Sequence, residues 1–267
     1  MFLRPLIFVC FWMIGSMVAS ASPIDDIVSL RNAGDLAKAE EKAKTLLRFS
    51  IEKNDAALRA DTLYELGRNA MERNEYPNAH QYFSQANTVY QALGDELSIA
   101  RTYREIGAVY RYQSDYPTAL EYLYKALAIF QTKGTKSDNA SIHGGIGVVL
   151  EKMGQFNDAA HYHQQSLEVH YELSDATGIA SDLYNLADIR RLLGDYALAL
   201  DYFEQALVID EASGNRKNIA YSCYKVGYVN MSIGNYAIAE KYMQRAHALF
   251  VEIGAKRDID WALTKLG

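Results

Sequence analysis

Residues 180–213 read ASDLYNLADIRRLLGDYALALDYFEQALVIDEAS, and this stretch is one copy of a unit that recurs every forty residues. Stepping by forty from Leu186-Ala187 lands on Leu66-Gly67, Ile106-Gly107, Ile146-Gly147, Val226-Gly227 and Leu266-Gly267. Ala199 recurs as Ala39, Ala79, Ala119, Ala159 and Ala239, and Tyr202 as Tyr82, Tyr122, Tyr162 and Tyr242. Ala206 recurs as Ala86, Ala126, Ser166 and Ala246. Turn-forming residues keep step within units (Gly34, Asn74, Ser114, Gly154, Gly194, Gly234) and between them (Gly94, Gly134, Ser174, Gly214, Gly254). Chance does not hold that many registers in phase across most of a chain.

Each unit reads as two helices. Over 97–113, Ile99, Ala100, Tyr103, Ile106, Gly107 and Tyr110 recur at three- and four-residue spacing. Ser114-Asp115 breaks that pattern, with Asp115 placed to cap a second helix and Pro117 tolerated in its first turn. Ala119, Leu120, Leu123, Ala126, Leu127 and Phe130 then form an apolar face that Gly134 ends. Glycine on the first helix and alanine on the second let two backbones approach closely. A single hairpin cannot bury both of its faces, so neighbours must stack into a solenoid.

The unit at 180–213 resembles the tetratricopeptide repeat, with Leu183, Leu186, Ala187, Gly194, Asp195, Tyr196, Ala199, Tyr202, Phe203, Ala206 and Leu207 on the signature positions. The resemblance covers about residues 24–267 and implies an all-α, right-handed superhelical solenoid of stacked antiparallel helix pairs. It divides the chain into a degenerate first repeat at 24–52, five full repeats at about 60–93, 100–133, 140–173, 180–213 and 220–253, and an incomplete repeat at 260–267. The sequence departs from the family in its period, forty instead of thirty-four, which implies longer helices or a longer inter-repeat turn. Proline is absent after the second helices, and Ile27 stands where the first unit should carry glycine. The array stops midway through a further first helix at Trp261 to Leu266, so a partner or a missing domain is expected at that end.

Ahead of the repeats, residues 1–21 read as a signal peptide: Arg4, an apolar run from Leu6 to Val18, then Ala19-Ser20-Ala21. The run is short for a membrane span, which needs about 20 residues. An exported chain, periplasmic or secreted, is expected; the alternative is an uncleaved N-terminal anchor. Cleavage would leave Cys223 as the one cysteine, expected buried and inert. No later segment is long and apolar enough to span a bilayer. The composition, 49% hydrophobic and 22% charged with 4 Pro, excludes a disordered chain, and a net charge of −6 excludes a general nucleic-acid binder.

Motifs for chemistry are missing: no nucleophile elbow, phosphate loop, zinc-protease helix or dinucleotide fingerprint appears. His161 and His163 are two residues apart, on different helix faces, which is poor metal geometry. His143 falls in the slot of Leu63, Tyr103, Leu183 and Cys223, as a core or half-buried residue. No cofactor and no catalysis are expected. The family resemblance instead implies a concave groove lined by the first helices. By register that lining is arginine-rich early, nearly bare in the middle and tyrosine-rich late, and its candidate ligand-binding residues are Arg104, Arg111, Gly144, Gly145, Tyr184, Arg191, Tyr224 and Tyr228. Local ion pairs account for Arg68, with Glu65 and Glu72 nearby, and for Arg101, with Glu105 at i+4. Arg104 has no carboxylate at three or four residues. Gly144 and Gly145 either relax the packing or open a notch between Arg104 and Tyr184, where an anionic or C-terminal carboxylate would meet Arg104. The function expected is non-covalent binding of a peptide, protein segment or small ligand in the groove. The alternative is the extracytoplasmic sensor region of a transmembrane signalling protein, of histidine kinase or diguanylate cyclase type, without its output domain.

Overall fold

A computed structural model describes residues 22–255, so the expected signal peptide and the incomplete repeat at 260–267 lie outside the described residues. Twelve helices and no strand occur among the described residues. The first pair is α1 (Pro23–Asn32) and α2 (Leu36–Glu52). Five longer pairs follow: α3 (Ala56–Glu72) with α4 (Tyr76–Leu93), α5 (Glu96–Tyr112) with α6 (Tyr116–Lys133), α7 (Lys136–Lys152) with α8 (Phe156–Leu173), α9 (Ala176–Leu192) with α10 (Tyr196–Ser213), and α11 (Arg216–Ser232) with α12 (Tyr236–Glu252). First helices have 17 residues, and second helices 18 except α12, which has 17. Connections within and between these units are only two or three residues long. Longer helices, not longer turns, therefore account for the forty-residue period.

The ends of these helices follow from the residues placed there. Asp35, Asp55, Asp95, Asp115, Asp175 and Asp195 each accept a hydrogen bond from a backbone N–H of the first turn they cap. Within units the tight turn passes through a left-handed residue, Gly154 or Gly194 in some copies and Asn74 or Ser114 in others. Gly134 differs from the other inter-unit turn residues. Its backbone is extended (φ −76°, ψ 162°), and Thr135 caps α7 through a reciprocal pair of bonds with Asp138.

The expected close approach of paired helices is present. Ala79, Ala119, Ala159 and Ala199 are fully buried. A Cβ built on Gly107 would lie 3.1 Å from the Ala119 carbonyl oxygen, and one on Gly227 3.2 Å from that of Ala239. Each pair then packs on the next, and the odd-numbered helices α1 to α9 also touch one another in succession. No even-numbered helices approach in a comparable way, so the odd helices form the inner side of the curve. The first unit is tied in by a buried ion pair between Arg31 of α1 and Glu65 of α3. Glu65 is thereby taken from Arg68, whose expected partner it was.

Candidate functional site

Along the inner side, four cavities share lining residues and so form one furrow. A 340 Å³ cavity between α3 and α5 includes Arg68, Glu105, Ala108 and Arg111. A 180 Å³ cavity shares Glu105, Ala108 and Arg111 with it and adds Arg104, Ser141 and Gly145. A 260 Å³ cavity over α7 contains Arg111, Ser141, Gly144, Gly145, Ser181 and Asn185. The largest, 620 Å³, lies between α9, α10 and α11 and shares Ser181 and Asn185 with the third. The furrow thus runs from α3 to α11 along the face on which the candidate residues were expected.

Its bare centre has a physical explanation. A Cβ built on Gly147 would lie 2.8 Å from the His163 ring, so that glycine is required by packing. On Gly144 the nearest atom would be Ser166 Oγ at 3.6 Å, and on Gly145 Leu123 Cδ2 at 3.8 Å, both ordinary contacts. Alanine would fit at either position, yet each glycine costs the helix about 1 kcal/mol relative to alanine. What their missing side chains supply is open floor in the furrow.

The charged residues are partnered differently from expectation. Arg104 donates to Glu105 Oε1 at 2.9 Å and to Ser141 Oγ at 3.3 Å, and Glu105 also accepts from the Tyr64 hydroxyl. Burial opposes its charge, but the Glu105 carboxylate and the Tyr64 hydroxyl together outweigh burial and raise the guanidinium pKa. Arg104 is therefore not the unclaimed cation of the groove. Its neighbour in sequence was overlooked because adjacent residues usually face apart on a helix. Arg101 reaches Asp138 at 4.0 Å, not Glu105. Arg111 lies over the Tyr112 ring at 4.1 Å and has no carboxylate partner among the described residues, while lining three of the four cavities.

At the late end the aromatic and charged candidates form an internal network. Arg191 donates to Asp188 at 3.1 Å and lies over the Tyr228 ring at 5.5 Å. Lys225 pairs with the other Asp188 oxygen at 2.6 Å and sits over Tyr184 at 5.0 Å. Tyr184 lines the largest cavity, not the notch over Gly144, whose far wall is Ser181 and Asn185. Tyr224, expected on the groove surface, is only 2% exposed; it stacks on Tyr228, and burial pushes its phenol up to about 12. It belongs to the core. Cys223 is buried, as expected, and burial pushes its thiol up to about 11.

Sequence inspection missed one buried polar cluster beside the furrow. His163 is fully buried with Nδ1 3.6 Å from Asp182 Oδ1, and His170 Nδ1 lies 2.7 Å from Asp182 Oδ2. His161 instead packs edge-on against the neighbouring Tyr162. His143 is half-buried, as expected from its slot. Among the described residues no group of three His, Cys, Asp or Glu is arranged to hold a metal ion, and no helix is long and apolar enough to cross a membrane.

The fold is similar to that of BtubC (BKLC) from P. vanneervenii, with a TM-score of 0.70 at 18% identity over 87% of this chain and 93% of that one. A Rap protein complexed with Competence and Sporulation Factor aligns with a TM-score of 0.64 at 17% identity, over 91% of this chain and 79% of that one. The Rap conjugation gene regulator of the plasmid pLS20, in complex with the Phr* peptide, gives 0.64 at 16% identity over 90% and 78%. At these identities the likeness is one of fold. Among curated proteins none matches the chain in sequence. The family profile described as Tetratricopeptide repeat matches residues 58–132, 98–172 and 138–212, overlapping spans that together cover more than half of the 267 residues. With the helix pairs, the Gly–Ala approach and that match in agreement, the chain belongs to the tetratricopeptide repeat family.

Proposed function

We propose that this protein is exported and that its furrow binds a peptide or an extended protein segment by non-covalent recognition, without catalysis. The observation that carries this reading is a run of unclaimed polar groups over a bare floor. Gly144 and Gly145 leave space that packing does not need. Around them Arg111 and Asn185, and farther along the furrow Asn218, present side chains that make no hydrogen bond among the described residues. Asparagine amides offer both a donor and an acceptor, which is what an extended backbone requires. Arg111, not Arg104, is the cation placed to take an anionic group or a C-terminal carboxylate. A Rap protein of similar fold has been solved with the Phr* peptide, which supports the capacity of such a solenoid to hold a peptide. Export rests on the apolar run and Ala19-Ser20-Ala21.

An array of acetylated hexapeptides, probed with the labelled protein, tests the binding. Gly144→Arg should remove binding and Arg111→Ala should weaken it about tenfold or more, neither with a loss of helical signal or a lowered melting temperature. A silent array, or undiminished binding by Gly144→Arg, would defeat the reading. Export is checked by the intact mass of protein recovered outside the cytoplasm, which should begin at Ser22. Full-length chain confined to the membrane fraction would point to an anchor.

A further inference from the structure

One slot of the forty-residue register recurs at each junction between units. Near the end of the second helices it holds Ser50, Tyr90, Phe130, His170, Asp210 and Phe250. On the following first helix the matching slot holds Thr62, Thr102, Ile142, Asp182 and Ser222, all buried. Tyr90, Phe130 and Phe250 occupy the first slot as buried aromatics. At the α10–α11 junction the aromatic ring is replaced by the small carboxylate of Asp210, and that is where the 620 Å³ cavity lies.

Asp210 is 6% exposed and lines that cavity. Its Oδ2 accepts a 2.6 Å hydrogen bond from Ser222 Oγ. Neither a Lys, Arg or His nor any other side-chain donor among the described residues reaches it. Among the basic residues of α11 and α12, Lys225 pairs with Asp188, Arg216 with Glu252 and Arg245 with Glu211, while Lys217, Lys241 and His247 form no ion pair among the described residues, with Asp210 or any other carboxylate. One junction earlier the buried Asp182 has two histidines against it. A buried carboxylate met by one hydroxyl and by no cation among the described residues is poorly compensated, so the cavity is matched to a cation supplied from outside. A single carboxylate among amides and hydroxyls is a poor metal set but suits N–H donors. An ammonium has three of them, and Asn185 and Asn218 line the same cavity as Asp210 with further amide oxygens.

We propose that this cavity is a subsite for an organic cation, a primary ammonium or guanidinium held by the Asp210 carboxylate. The inference rests on the furrow as a peptide site, in which case the cation is a Lys or Arg side chain of the bound segment. A free alkylamine carries the same chemistry, and the test separates the two.

The hexapeptide array should carry Lys, Arg, citrulline and norleucine at each position in turn, and the protein should also be melted with butylammonium and methylguanidinium chloride. Wild-type protein should favour Lys or Arg over the neutral replacements by about tenfold to a hundredfold at one position. Asp210→Asn should erase that preference while retaining the remaining binding. Asp210→Ser, which installs the residue type of slot 50, serves as a second variant if the first does not fold. Binding indifferent to charge, with Asp210→Asn equal to wild type, would leave the peptide reading standing and overturn the cation subsite. A silent array with a melting shift from butylammonium in wild type but not in Asp210→Asn would do the reverse, naming a free amine as ligand. No preference and no shift in either arm would overturn the subsite.

Discussion

Two neighbouring regions of the solenoid treat the same structural problem in opposite ways. At the α8–α9 junction rings from within the chain fill the space, although His170 and Asp182 still line the cavity over α7. His163 fits against Gly147, the His170 ring fits against Gly178 where a Cβ would lie 2.5 Å away, and both histidines face Asp182. In the furrow and at the α10–α11 junction, the corresponding space is left open. Gly144 and Gly145 receive no ring, and Asp210 has a hydroxyl beside it but no cation among the described residues. Glycine and aspartate therefore mean different things one turn or one unit apart. In the first set the chain fills the space with its own rings and sets two histidines against the aspartate; in the second it leaves the space open.

The largest expected effect lies at the α8–α9 junction. His170→Ala should destabilise the fold by about 3 kcal/mol in denaturant titration, because it strips a buried carboxylate of its 2.7 Å donor and leaves a void against Gly178. His170→Phe, which restores the ring of Phe130 and Phe250 without the donor, should recover only part of that loss. Full recovery would mean that Asp182 does not need the histidine, and the contrast with Asp210 would collapse. Next in size, Gly147→Ala should cost about 1–3 kcal/mol, since its Cβ would overlap the His163 ring. Gly144→Ala, one turn earlier, should instead stabilise by about 1 kcal/mol. Equal signs for the two substitutions would erase the distinction between a packing glycine and an open one. Smallest of all, Asp210→Asn should change unfolding stability by no more than about 1 kcal/mol, while the equivalent Asp182→Asn should cost more, since its histidines lose their anion. A Cys223 that stays unreactive toward a thiol reagent near pH 8 until the chain unfolds would confirm that the core beside the cavity is closed, as its raised thiol pKa of about 11 implies.

Much of this was legible in the sequence. The forty-residue period, the paired helices, the Asp caps and the Gly–Ala approach all depend on residues close together in the chain or repeated at a fixed step. The inner face of the first helices followed once the repeat was recognised, and Arg111, Gly144 and Gly145 do meet along one furrow. Errors arose where a side chain chooses among several partners. Arg104 took its immediate neighbour Glu105, Glu65 took Arg31 from thirty-four residues away, and Tyr224 turned into the core.

The sequence by itself determined that this chain is a helical solenoid and which positions repeat, because helix periodicity and capping are local and a repeat multiplies a weak local signal. Only the tertiary structure decided which glycines are filled by a neighbour's ring and which are empty, and which buried aspartate is paired. Those outcomes depend on distances of a few ångströms between helices from different units, where the slot that Phe130 fills in one copy holds Asp210 beside a cavity in another.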